Sequence, residues 1–211
     1  TGGYITVPTC AAAWLLRIPI FLHESNAFPG LATRFLVNTL RAAARLYLGF
    51  ARAKTFLTHP GPIVTGNPVR QGIAAPLGGA AASEEKARCL ERLFPGSVSQ
   101  EEEGAKRVCI CFMGGSLGSE RINQVVRESL GTFLDRHRNA HIIWQTGQRY
   151  FSEARGAATV ACEGEDQQEE ERMEDQETRL KIVPFLDDMA LVYGACDLVV
   201  CRSGAITCSE L

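Results

Sequence analysis

VCICFMGGSLGSERINQVVRESLGTFLDR, residues 108–136, carries the reading of the fold. Val108 to Met113 is apolar without alternation, the pattern of a parallel strand covered on both faces. Gly114-Gly115-Ser116-Leu117-Gly118-Ser119 interrupts the run, and Glu120 to Arg136 then has the spacing of an amphipathic helix. Strands at 141–145, 180–183 and 197–201 continue the pattern, separated by helices at 149–160 and 187–196, and a helix at 83–94 precedes it. Strands alternating with helices of this length specify an α/β fold built on a parallel sheet with right-handed crossovers.

Upstream the pattern is less regular. GGYITVP reads as a glycine-rich loop, residues 10–17 (CAAAWLLR) as a short buried helix, and Pro19 to Leu22 as a strand delivering His23, Glu24, Ser25 and Asn26 to its end. Pro29 stands at a helix start, and residues 31–46 read as one helix. Its spacing puts Arg34, Asn38, Arg41 and Arg45 on one face and Leu31, Phe35, Val37 and Leu46 on the apolar side. Residues 46–50 and 54–58 are short strand candidates. The turn-rich stretch 59–72 (HPGPIVTGNPVRQG) is the natural connection, so domains are expected at 1–66 and 67–211.

Composition bounds the function classes. With 45% hydrophobic and 22% charged residues the chain has an ordinary core-forming makeup, and its net charge of −2 gives no reason to expect nucleic acid as a partner. No run reaches the roughly 18 apolar residues that cross a bilayer. Eight cysteines form no CxxC pair and fall in apolar strands and helices, which suits buried thiols in a reduced compartment; no metal is expected. Residues 163–179 hold nine acidic and two basic residues and read as a disordered surface insertion. The helical run after Gly204 stops at Leu211 without a cap, and Thr1 is not an initiator Met, so the sequence is expected to be an internal fragment.

Five short motifs offer polar groups at strand ends. GGSLGS lets the backbone approach a ligand and turn into a helix whose free N–H groups hold a diphosphate, with Ser116 adding a hydroxyl; it matches neither GxGxxG nor a P-loop, and a ligand-free turn is the plain alternative. In CRSGAITCSE, residues 201–210, Glu210 offers a carboxylate for a ribose diol, against an ordinary helix glutamate behind a capping Ser203. His23, Glu24 and Asn26 lack the second histidine of a zinc signature and either orient a ligand or cap their loop. Arg70 follows the Gly66-Asn67-Pro68 turn with a guanidinium suited to a diphosphate or to a surface ion pair. Asp187 reads as an N-cap, and Phe185 and Leu186 as a slot for a base or as core.

Together these pieces resemble the lipid-linked N-acetylglucosaminyltransferases of bacterial peptidoglycan synthesis, in glycosyltransferase family 28. The likeness rests on TGGY with Pro8, LHESNAFPGL, GNPVR, GGSLGS with Asn123, PFLDDM and CRSGAITCSE, in family order along nearly the whole chain. It implies two Rossmann-like domains of the GT-B type, both incomplete here, the first on the acceptor and membrane side and the second binding the UDP-sugar. It implies inverting transfer of N-acetylglucosamine from UDP-N-acetylglucosamine to the C4 hydroxyl of undecaprenyl-pyrophosphoryl-N-acetylmuramoyl-pentapeptide, without a cofactor. By motif, Asn26 would contact the donor sugar, Arg70 and Ser116 the diphosphate, Leu186 the uracil through its backbone, and Ala205, Ile206, Thr207, Cys208, Ser209 and Glu210 the diphosphate and ribose. His23 and Glu24 would serve the acceptor or the structure. The general base would lie upstream of Thr1 and a donor-binding glutamine pair downstream of Leu211. The expected location is peripheral, on the cytoplasmic face of the plasma membrane, with the helix 30–46 contributing a basic patch. The acidic insertion is outside the family pattern and suggests a divergent or plastid-associated eukaryotic homologue, or a gene-model artefact. The alternatives are a related transferase with another acceptor and a non-catalytic nucleotide-sugar-binding remnant.

Overall fold

The computed structural model describes residues 3–70, 72–73, 80–96, 107–162 and 178–211. The acidic segment lies outside these residues except for Thr178 and Arg179. The chain forms two compact units, one of Thr1–Arg70 with Ser203–Leu211 and one of Gln71–Arg202. The sequence division was drawn at 66/67, with 203–211 grouped in the second part.

In the first unit, helix α1 (Thr6–Leu15) starts earlier than expected and takes in Thr6, Val7 and Pro8. Proline is tolerated there because the first-turn N–H groups have no intrahelical partner. Contrary to the sequence reading, α1 buries none of its residues, and Trp14, Leu15 and the following Leu16 are exposed. Strands β1 (Ile20–Glu24), β2 (Ala43–Leu48) and β3 (Ile63–Val64) form a parallel sheet in that order, with Leu22 opposite Leu46 and Tyr47 opposite Ile63.

The single helix expected over 31–46 does not form. Helix α2 (Leu31–Arg34) runs into a π-helical turn at Phe35–Thr39, Arg41 takes a left-handed backbone with φ 49°, and the chain enters β2 at Ala43. Tertiary packing overrides the helix propensity of the alanines and arginines, because strand alternation sends both Leu46 and Leu48 into the core beside Ile20, Leu22, Leu36 and Val37. Arg34, Arg41 and Arg45 therefore do not share a helix face. Asn38 is occupied structurally, its Nδ2 donating to the Phe56 carbonyl (2.9 Å) and its Oδ1 accepting from the Thr58 N–H (2.9 Å). The strand candidate at 54–58 is also corrected, since Ala51–Phe56 is a 3₁₀ helix.

The second unit follows the sequence pattern closely. Helix α3 (Ala80–Leu93) precedes β4 (Val108–Met113), α4 (Glu120–Arg136), β5 (Ala140–Gln145), α5 (Phe151–Cys162), β6 (Leu180–Val183), α6 (Met189–Ala195) and β7 (Leu198–Cys201). The four strands are parallel in the order β6-β5-β4-β7. Alternate residues of β4 and β5 feed two cores: Cys109, Cys111, Met113 and Ile143 pack with α3 and α6, while Phe112, Ile142 and Trp144 pack with α4 and α5. Every residue of β5 is buried, the polar His141 and Gln145 included.

Polar detail closes this unit. Arg179 is docked in the structure, its guanidinium donating to the carbonyls of Leu134, His137 and Ala140 at the end of α4, a favourable place for a cation. The N-cap of α6 is Asp188, which accepts from the Leu191 N–H at 3.0 Å, in place of the expected Asp187. Cys10, Cys89, Cys109, Cys111, Cys196, Cys201 and Cys208 are free thiols. Contact with Cys196 and then burial push the Cys109 thiol far up, so it stays protonated.

Candidate functional site

In a parallel sheet, ligands are met at the carboxyl ends of the strands, at the place where the strand order reverses. In the second unit the chain builds outward from β4 to β5 to β6, then returns to the other side of β4 for β7. The reversal lies between β4 and β7, whose last residues, Met113 and Cys201, are paired. GGSLGS leaves one of these strands and Arg202 the other, so the strongest sequence motif falls at the switch point.

The glycine-rich turn is shaped by close backbone approaches. A Cβ at Gly114 would strike the backbone of Gly118 and Ser119, and one at Gly118, where φ is +77°, would strike the Thr146 carbonyl. Gly147 (φ +83°) meets Gly118 in turn, so two glycine loops touch backbone to backbone. The Gly114 N–H donates to the Gln145 carbonyl (3.3 Å), the Gly115 N–H to Gln145 Oε1 (3.1 Å), and the Gly118 N–H to the Gly115 carbonyl (2.9 Å). Among the described residues the N–H groups of Ser116 and Leu117 have no protein partner, in the turn that leads into the seventeen-residue α4. Asn123 locks the neighbouring turn by donating to the Thr146 carbonyl (2.9 Å) and accepting from Trp144 Nε1 (3.0 Å).

Three adjacent residues here, Gln145, Thr146 and Gly147, escaped the sequence reading. Gln145 Nε2 donates to the carbonyls of Gly115 and Pro184, both at 3.0 Å, and so ties the turn after β4 to the segment after β6. Thr146-Gly147 is a second polar-glycine break directly after a buried strand, the one signal that marked this position. Leu186 is 9% exposed and packs in the core, which leaves its backbone as the part available to a ligand, whereas Phe185 is 48% exposed.

In the first unit, β1 ends in a hydrogen-bonded corner. Glu24 Oε1 accepts from both the backbone N–H and Nδ2 of Asn26 (3.0 and 2.9 Å), and Oε2 accepts from the Gly30 N–H (3.1 Å). Burial alone would raise the Glu24 pKa, but hydrogen bonds from Thr33, Asn26 and Gly30 more than offset it and hold the carboxyl below its ordinary value. A saturated carboxylate of this kind orients its neighbour: with Nδ2 committed to Glu24, Asn26 presents Oδ1 as a hydrogen-bond acceptor. His23 Nε2 donates to the Gly66 carbonyl at 3.2 Å, which leaves Nδ1 as the acceptor facing Ser25 Oγ at 3.4 Å.

Asn67, also missed from sequence, gathers three segments of this unit. Its Nδ2 lies 3.0 Å from the Ser25 carbonyl, 3.3 Å from the Ala205 carbonyl and 2.9 Å from Ser209 Oγ. A Cβ at Gly49 would collide with the Asn67 amide, so glycine is required behind it. The short helix α7 (Thr207–Glu210) is capped at Ile206 without a side-chain bond, and Ser203 plays no capping part. Glu210 and Thr207 are half-buried, Ile206 and Cys208 are exposed, and Ser209 Oγ donates to the Ala205 carbonyl (2.8 Å). The structure thus brings His23, Glu24, Asn26 and Ala205–Glu210 into the first unit together with the exposed Arg70, and Ser116 with Leu186 into the second.

Comparison with known families assigns residues 203–211, which cluster with the first unit in the structure, to the second of two domain models. The glycosyltransferase family 28 N-terminal domain matches residues 1–45, and the glycosyltransferase family 28 C-terminal domain matches residues 109–211. The chain belongs to glycosyltransferase family 28. A similar relative is the UDP-N-acetylglucosamine--N-acetylmuramyl-(pentapeptide) pyrophosphoryl-undecaprenol N-acetylglucosamine transferase of Salinibacter ruber, 36% identical over all of this chain and 47% of its own length. Proteins of the same name from Ralstonia nicotianae and Myxococcus xanthus are 36% and 29% identical, again over the whole chain and over 47% and 45% of their lengths. The chain thus spans about half the length of the curated relatives it matches. The crystal structure of Acinetobacter baumannii MurG superposes with a TM-score of 0.57 over 98% of this chain and 46% of that one, at 24% identity, and it supports the GT-B type of family 28 fold. The expected α/β fold class is therefore correct.

Proposed function

We propose that this chain is part of an enzyme that transfers N-acetylglucosamine, with inversion, from UDP-N-acetylglucosamine to the C4 hydroxyl of a lipid-linked N-acetylmuramoyl-pentapeptide. The observation that carries the reading is the switch point between β4 and β7, where a glycine-rich turn leaves two backbone N–H groups open ahead of a long helix. Those donors, with the Ser116 hydroxyl and the positive end of α4, suit the diphosphate of the donor and stabilise it as it departs. No metal is needed for that role. The backbone of Leu186 takes the edge of the uracil while its side chain anchors the segment in the core.

The first unit supplies other groups in this reading. Asn26 accepts a hydrogen bond from a hydroxyl or amide of the donor sugar through Oδ1, held in that orientation by Glu24. Glu210 accepts from the ribose hydroxyls, Ala205–Ser209 offers backbone and hydroxyl groups to the nucleotide, and Arg70 contributes a guanidinium to the departing diphosphate. Glu24 is not assigned the general base, because its lone pairs are already occupied and its pKa is lowered. The first unit serves the acceptor and the membrane side, and the protein works peripherally on the cytoplasmic face of the membrane that holds the lipid acceptor. The exposed Trp14, Leu15, Leu16 and Ile18 around Arg17 support membrane contact at the end of α1, in place of the arginine face expected on 30–46.

The test is UDP release by the product of the complete open reading frame, with and without the lipid-linked muramoyl-pentapeptide. Acceptor-dependent release is expected. A folded protein that binds UDP but releases none from the sugar donor in the presence of this acceptor would overturn the assigned reaction.

A further inference from the structure

We propose that Gln145 is a positioning residue that couples the two donor-binding segments of the second unit, the Gly114–Gly118 turn and the Pro184–Leu186 segment. The inference rests on reading this sheet edge as a UDP-sugar site.

Backbone pairing already aligns β4, β5 and β6, but it stops where the strands stop, at Met113, Gln145 and Val183. Beyond that line, among the described residues, the Gln145 side chain is the group that hydrogen-bonds to both the turn and the segment. Its amide uses both ends: Oε1 accepts from the Gly115 N–H, and Nε2 donates to the Gly115 and Pro184 carbonyls. The paired contact with Gly115 fixes which end of the amide is oxygen, since a flipped amide would set Oε1 against two carbonyls. Gln145 is 3% exposed, so these bonds form away from competing water, and their loss strips the Pro184 carbonyl and the Gly115 N–H of the Gln145 partner while the Gly115 carbonyl keeps the Gly118 N–H. It also consumes the Gly115 N–H, so the open donors of the turn are those of Ser116 and Leu117. A ligand that touches only the base segment gains nothing from this link. One that spans base and diphosphate meets both segments already in register, with less ordering left to do on binding.

Titration calorimetry of UDP and of uridine with the complete protein tests this, comparing wild type with Gln145→Met and Gln145→Glu. In Gln145→Met, UDP affinity is expected to fall about tenfold or more, the order of one net hydrogen bond, while uridine affinity stays within about twofold. In Gln145→Glu, UDP affinity is expected to be low at neutral pH and to recover as the pH falls, because a protonated carboxyl regains a donor and a carboxylate has none; wild type shows no such recovery. Equal losses for UDP and uridine, no loss of either, or an unfolded protein in both variants would each overturn the coupling role. Wild type that fails to bind UDP would sink the donor-site reading and this inference with it, whereas wild type that binds UDP with unaffected variants sinks this inference alone.

Discussion

At the scale of single residues, Glu24 and Glu210 are both carboxylates near strand ends, and their surroundings give them different work. Glu24 is buried and accepts from Asn26, Gly30 and Thr33, which holds its folded pKa below the unfolded value of about 4.3. A depressed pKa stabilises the fold above the unfolded value, and that contribution is lost as pH falls through the folded one. Thermal melts of wild type and Glu24→Gln should therefore differ at pH 7, by roughly 1–3 kcal/mol of stability, and converge only as the pH falls from the unfolded value through the lower folded one. A constant difference across that range would show that the charge is not what matters. Glu210 is assigned to a ligand, so Glu210→Ala should weaken UDP binding by about 1.5–3 kcal/mol. Calorimetry showing unchanged UDP affinity would remove it from the ribose site.

At the scale of elements, the second unit was legible and the first only in part, its β1 foreseen and its residues 31–46 not, for a physical reason. β4, β5 and β6 are covered on both faces, so burial and strand identity coincide in runs such as VCICFM, and the intervening helices are long enough to show their period. In residues 31–46 the two signals conflict: alanines and arginines favour a helix, yet Leu46 and Leu48 are claimed by the sheet, and the chain resolves the conflict with a π turn and a left-handed Arg41. The polar groups of the motifs were readable, but their organisers, Gln145 and Asn67, were not, because each works through partners distant in sequence. The glycines can be tested directly. Gly118→Ala should cost about 1–3 kcal/mol from its left-handed backbone alone, with the collision against Thr146 added, and should also weaken UDP binding. Gly96→Ala, at φ +79° with open space, should lose stability without touching UDP affinity. Helix α1 makes a separate prediction: Trp14→Glu with Leu15→Glu should lower co-sedimentation with phospholipid vesicles and leave UDP affinity unchanged, and unaltered sedimentation would dismiss the membrane role of this helix.

At the scale of the whole molecule, two parallel sheets present their strand ends differently. The first unit closes its edge with a network of internal hydrogen bonds, while the second leaves backbone donors open at Ser116 and Leu117. Hydrogen exchange on the complete protein with saturating UDP should slow first at those two amides and around Leu186, with β5 already protected in the free protein because all of it is buried. Exchange that is unchanged at 116–117 would place the diphosphate elsewhere. The mutual contact of Gly118 and Gly147 has a practical outcome for anyone wishing to retool the donor preference. Neither position can accept a side chain, and Gly114 is equally closed, so randomised libraries spread across the whole turn would consist mostly of misfolded clones. Diversity is better concentrated at Leu117, which is 83% exposed and free to vary in size and charge.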